Sequence, residues 1–91
     1  MYTAMVAIVG GSQGGRCTTA ELRDLVVASA EEPDGLEHVH VQALSDRLEI
    51  VLFIQASGWR EAEVAAHRIS LAVIRRLPGW SLVETPGRSP E

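Results

Sequence analysis

Ninety-one residues, a net charge of −4 and an apolar fraction of 46% define one globular domain and exclude disorder for its body. The acidic balance argues against nucleic acid as a partner, because neutralising phosphates needs a basic surface. No run approaches the ~20 apolar residues of a transmembrane helix, and the apolar start lacks the basic n-region and the length of a signal peptide.

A single cysteine excludes an internal disulfide and suits a reducing cytoplasm. All eight basic residues are arginine, and asparagine is absent as well. That bias points to GC-rich codon usage and a bacterial source.

Residues 2–9 read as a strand. Tyr2, Ala4, Val6 and Ile8 form one face, and Thr3, Met5, Ala7 and Val9 the other. Both faces are mostly apolar, so the strand is expected at the centre of a sheet. Residues 10–16 form a glycine-rich loop whose four glycines allow positive φ and close backbone approach. Thr18 and Glu21 then make a capping box. The helix it opens runs to about Ala30 and buries Leu22, Leu25, Val26 and Ser29. Residues 31–35, Glu-Glu-Pro-Asp-Gly, end it and turn the chain.

Residues 36–44 alternate. Val39, Val41 and Ala43 face one side, and His38, His40 and Gln42 the other, as in a half-buried edge strand. Ser45-Asp46 makes a two-residue hairpin into residues 47–56, the most apolar run of the chain. Leu48, Ile50, Leu52 and Ile54 point one way. Val51 and Phe53 point the other, between Glu49 and Gln55. Pairing Leu44 with Arg47 sets Val41 opposite Ile50, Val39 opposite Leu52, His40 opposite Val51 and His38 opposite Phe53.

Ser57 is the expected cap of a second helix, from Gly58 or Trp59 to Leu77. Its buried stripe is Ala62, Ala65, Ala66, Ile69, Val73 and Leu77. Arg75 and Arg76 favour its C-terminus, and Pro78-Gly79 stops it. A short strand over 80–85 closes a domain spanning 1–85, and 86–91 is expected to be a disordered tail.

The order β-α-β-β-α-β resembles the ferredoxin-like split βαβ fold. The expected fold is therefore α+β, with a four-stranded antiparallel sheet and two helices on one face. That topology hosts many unrelated functions. It also leaves one sheet face without a layer, although Met5, Val51 and Phe53 make that face apolar.

The chemical motifs are sparse. Gly10 to Thr18 approximates G-x-x-x-x-G-K-[ST], with Arg16 and Cys17 in place of Lys and Ser/Thr. Gly14, Gly15 and Arg16 are thus candidates for weak anion binding at a helix start. Residues 11–16, Gly-Ser-Gln-Gly-Gly-Arg, also resemble the acylphosphatase loop G-x-V-Q-G-V-x-[FY]-R, and 44–46 resemble its hairpin. Arg16 falls too early after Gln13. The family's catalytic asparagine belongs near Ala43 in a chain that has no asparagine. The resemblance implies a shared topology and not the activity.

His38 and His40 form an H-x-H pair, with Glu49 diagonal to His40, so these three are the metal candidates. The plainer reading makes the histidines the border of an apolar face, with no metal and no cofactor. His67 is read as facing solvent, without a role. Cys17 stands at a helix start beside Arg16, features that lower a thiol pKa. It has no histidine base nearby, so an incidental position is the expectation.

The sequence therefore leads to a non-catalytic accessory or regulatory protein. It is expected to dimerise or bind a protein or small molecule through Met5, Val51, Phe53, His38 and His40. The alternative is a small dimeric enzyme or ligand-binding protein of the α+β-barrel type, with its pocket between a sheet face and a partner subunit.

Overall fold

The computed structural model describes residues 1–10, 17–83 and 87–88. The elements are β1 (Tyr2–Gly10), α1 (Thr19–Ser29), β2 (Leu36–Ala43), β3 (Leu48–Ile54), α2 (Trp59–Arg75), β4 (Trp80–Leu82) and β5 (Gly87–Arg88). A 3-10 turn, Glu32–Asp34, sits between α1 and β2. The strands run antiparallel in the order β2-β3-β1-β4, and α1 and α2 share one face. This is the α+β, ferredoxin-like arrangement.

The core lies between the helices and the inward side of the three longest strands. Val6, Ile8, Leu22, Val39, Ile50, Leu52, Ile69 and Val73 are buried, as their alternation and helical spacing require. Leu25 and Val41 are only half-buried but pack against that core. On α2, Ala62, Ala65 and Ala66 are buried, and their small side chains let the helix lie close to the sheet. Leu77, expected on this stripe, follows the helix end and is half-buried.

The hairpin register is the one that the two-residue loop demands. The Leu44 amide donates to the Arg47 carbonyl at 2.8 Å. Val41 lies opposite Ile50, His40 opposite Val51, Val39 opposite Leu52 and His38 opposite Phe53. One irregularity intervenes at the start of β2. His38 pairs with Phe53, yet Leu36 pairs with Ile54, so Glu37 is an extra residue in a β-bulge. The bulge turns Leu36 back onto the core, where strict alternation would have put it outside.

Local chemistry sets the element ends. Thr18 and Glu21 form the capping box: the Glu21 amide donates to Thr18 Oγ1 at 3.1 Å, and the Thr18 amide to Glu21 Oε1 at 3.4 Å. At α2 the N-cap is Gly58, not Ser57. Ser57 instead donates its hydroxyl to the Glu61 carboxylate, a side chain of the first turn. The helix also ends at Arg75, two residues short of the expected Leu77, because the chain tightens there: the Leu77 amide reaches the Ile74 carbonyl at 3.1 Å.

The last strand is shorter than 80–85. β4 pairs Trp80 with Gly10 and Leu82 with Ile8. Gly10 matters here, since a Cβ on it would come within 3.2 Å of the Trp80 ring. Gly87–Arg88, inside the stretch read as a tail, pair with Ala4 and Met5 on the same edge of β1. Residues 84–86 and 89–91 lie outside the described residues.

Candidate functional site

Odd-numbered residues of β1 and β3 and even-numbered residues of β2 make the sheet face turned away from the helices. Three rows cross it, set by strand register. His38, Phe53 and Thr3 form the first, His40, Val51 and Met5 the second, and Gln42, Glu49 and Ala7 the third. Val9 and Ser81 extend it toward β4. Val83, whose amide donates to the Ala7 carbonyl at 2.8 Å, adds an exposed apolar side chain. Among the described residues, no helix covers this face.

The residues expected on this face are brought together there. Met5, Val51 and Phe53 are half-buried, and His38 and His40 are exposed at the β2 edge. The His38 ring leans on Phe53, with centroids 5.6 Å apart and planes inclined by 46°. The imidazole thus borders an aromatic ring. Glu49 lies one row from His40, opposite Gln42. Among the described residues, no three His, Cys, Asp or Glu side chains are grouped so as to hold a metal ion. His67 is exposed on α2, away from this face.

Gly14, Gly15 and Arg16 lie outside the described residues. Cys17 is described, and its surroundings work against the thiol-activating effect of a helix start. Burial pushes its pKa up, and the carboxylate of Glu21 adds to the shift. Its Sγ–H points to the Thr18 carbonyl at 3.6 Å. The same capping box that starts α1 therefore places an anion beside the thiol and works against a reactive thiolate.

Two features escape a strand-by-strand reading. One is the bulge at Glu37. The other is a groove along the seam between α1 and the outer edge of β2, lined by Thr19, Ala20, Arg23, His38, Val39, His40 and Val41. Its volume of about 230 Å³ is below the roughly 300–1,000 Å³ of small-molecule pockets. A second depression farther along the seam is lined by Val27, Ala30, Glu31, Glu32, Gly35, Leu36 and Glu37. The alternating apolar and polar pattern of β2 indicated an edge, but nothing in it indicated which helix runs alongside.

The described residues form a two-layer α+β domain with one partly apolar sheet surface that no described helix covers. Compared with protein-family models, curated proteins and solved structures, the chain matches none. No helix among the described residues is long and apolar enough to cross a membrane.

Proposed function

We propose that this is a non-catalytic accessory or regulatory protein that works by self-association and by binding a partner on its open sheet face. The carrying observation is the Met5, Val51 and Phe53 cluster on a sheet whose helices, among the described residues, lie on its other side. Contiguous apolar surface of this kind marks interaction sites in proteins that fold in water. Closed two-fold dimers are the commonest way to cover it. Phe53 is the anchor, because aromatic side chains supply a large share of interface energy. The lone cysteine favours a reducing compartment such as the cytoplasm.

A second reading draws on His38, His40 and Glu49, the polar groups that border the same face. Two such faces meeting across a cavity give the pocket of a dimeric α+β barrel, with these side chains at its rim. The readings separate on whether facing sheets pack tightly or enclose space. Light scattering and sedimentation on the wild type and on Phe53→Glu test the first reading. Self-association that the charge abolishes supports it. A wild type that remains monomeric at tens of micromolar removes it.

A further inference from the structure

Histidine is the side chain whose charge ordinarily changes between about pH 5 and 8. Of the three in this chain, two lie on the open sheet face. His38 and His40 alternate along β2, so both imidazoles stand on the side that carries Met5, Val51 and Phe53. The His38 ring packs on the Phe53 ring, with centroids 5.6 Å apart. A surface that closes over Phe53 therefore takes water from this imidazole as well. His67 stands apart, exposed on α2.

The charges around the pair decide the sign. On β3, Glu49 is one row from His40 and two rows from His38. The facing residues of β1, Thr3, Met5 and Ala7, carry no charge. From α1, Arg23 lines the same groove as His38 and His40. On β2 itself Gln42 is neutral, and Glu37 lines the separate depression with Glu31 and Glu32. Among the described residues, no ion pair joins Glu49 to either imidazole. One carboxylate does not offset two imidazolium ions and a guanidinium, and covering a cation without a counter-charge is unfavourable. The attraction of an imidazolium for the Phe53 ring exists before the face is covered as well as after, so it does not favour the covered state.

We infer, resting on the self-association proposed above, that His38 and His40 make it pH-dependent: two copies meet through Phe53 when the imidazoles are neutral and separate when they are protonated. Association then releases protons. By linkage it is strongest above the range in which the free imidazoles titrate, and it weakens as pH falls through that range. The overall charge acts the other way. It is −4 with neutral histidines, and protonating all three brings it to −4 + 3 = −1, which eases repulsion between copies. At about 0.15 M salt that long-range effect is screened beyond roughly 8 Å, while the loss of hydration beside Phe53 is not.

Sedimentation equilibrium in that salt, at about pH 8 and about pH 5.5, tests it. The wild type should associate at least about 10-fold more weakly at the lower pH. The double variant His38→Gln/His40→Gln should shrink that difference to within about 3-fold, and His67→Gln should keep it. Circular dichroism at both pH values checks the fold. Asp34, whose carboxyl is held below its usual 3.8, keeps its charge across this window. Without any variant, dilution calorimetry between the two pH values should show proton uptake on dissociation, as a heat that varies with the buffer. Wild-type association that is unchanged or stronger in acid overturns the inference and leaves the Phe53 interface standing. So does a dilution heat that is the same in every buffer, or a pH dependence that the double variant retains or His67→Gln removes. A wild type that is monomeric at both pH values removes the interface, and the inference with it.

Discussion

Arg68 of α2 closes on Asp34, thirty-four residues earlier in the chain. Its Nε donates to Asp34 Oδ1 at 2.8 Å, and its Nη2 reaches both Asp34 Oδ2 and the Ser29 carbonyl, the latter at 2.9 Å. Asp34 is 8% exposed and also accepts from the Glu31 amide at 2.7 Å. One guanidinium thereby joins α2 to the last residue of α1 and to the turn that leads into β2. Removing either partner strands the other in a partly desolvated place. Asp34→Ala should lower stability by about 1–3 kcal/mol in urea melts. Unchanged stability would show that solvent replaces the pair.

The same contact has a sign in pH. The hydrogen bond from Arg68 holds the Asp34 carboxyl below its usual value of 3.8, against the opposing pull of burial. A carboxyl whose folded pKa is depressed contributes its stability fully above its unfolded pKa and loses it as pH falls through the folded one. Acid melts should therefore show a loss of stability below about pH 4 that is smaller in Asp34→Asn. Equal acid sensitivity in both proteins would assign the loss to other carboxylates.

Gly35 turns the chain out of the 3-10 turn at φ +72°. A Cβ there would come within 2.2 Å of the Gln55 carbonyl oxygen, and the Gln55 amide is bonded to the Gly35 carbonyl at 2.8 Å. Backbone strain and the clash act together. Gly35→Ala should cost at least about 2 kcal/mol. A loss under about 0.5 kcal/mol would mean that the turn relaxes freely.

Leu52 is 1% exposed in the middle of β3, flanked by Ala4 and Val39 on neighbouring strands. Truncation to Ala should open a cavity and cost about 2–5 kcal/mol. Val51, one residue away on the other face, is only half-buried and should lose less on the same truncation. A reversed ranking would contradict the assignment of faces.

Cys17 should be a slow nucleophile. With its pKa raised, the thiolate fraction at neutral pH is lower than in a free cysteine. Alkylation at pH 7 should be slower than for a small thiol, and Glu21→Gln should speed it. A rate above that of the free thiol would restore the activated-cysteine reading.

Much of this fold was legible because its signals are local. The two-residue loop between Leu44 and Arg47 sets a register, and the register carries His38 to Phe53 and His40 to Val51 with no further information. The helix start at Thr18 and Glu21 was legible for the same reason. The bulge at Glu37 was not, since a skipped residue at a strand end leaves the later alternation intact. The Asp34–Arg68 pair joins residues with no shared period, and only the packed helices show it. Ser57 looked like a cap because serine usually is one, but Glu61 in the first turn competes for its hydroxyl. For Cys17 the helix start was visible, while the burial that outweighs it was not. The open face itself was readable from β3, where Val51 and Phe53 interrupt the polar side of the alternation. What covers that face leaves no mark in the periodicity of one chain.

The central claim is that the face bearing Met5, Val51 and Phe53 is an interface. Sedimentation equilibrium on the wild type and on Phe53→Glu at tens of micromolar tests it most directly, because the substitution puts a charge at the middle of the first row while leaving the core untouched. The account predicts an associated wild type and, in the folded variant, loss of the face-to-face contact with at least a 10-fold weaker association. A monomeric wild type, or a wild-type assembly that Phe53→Glu leaves at full strength, would contradict it.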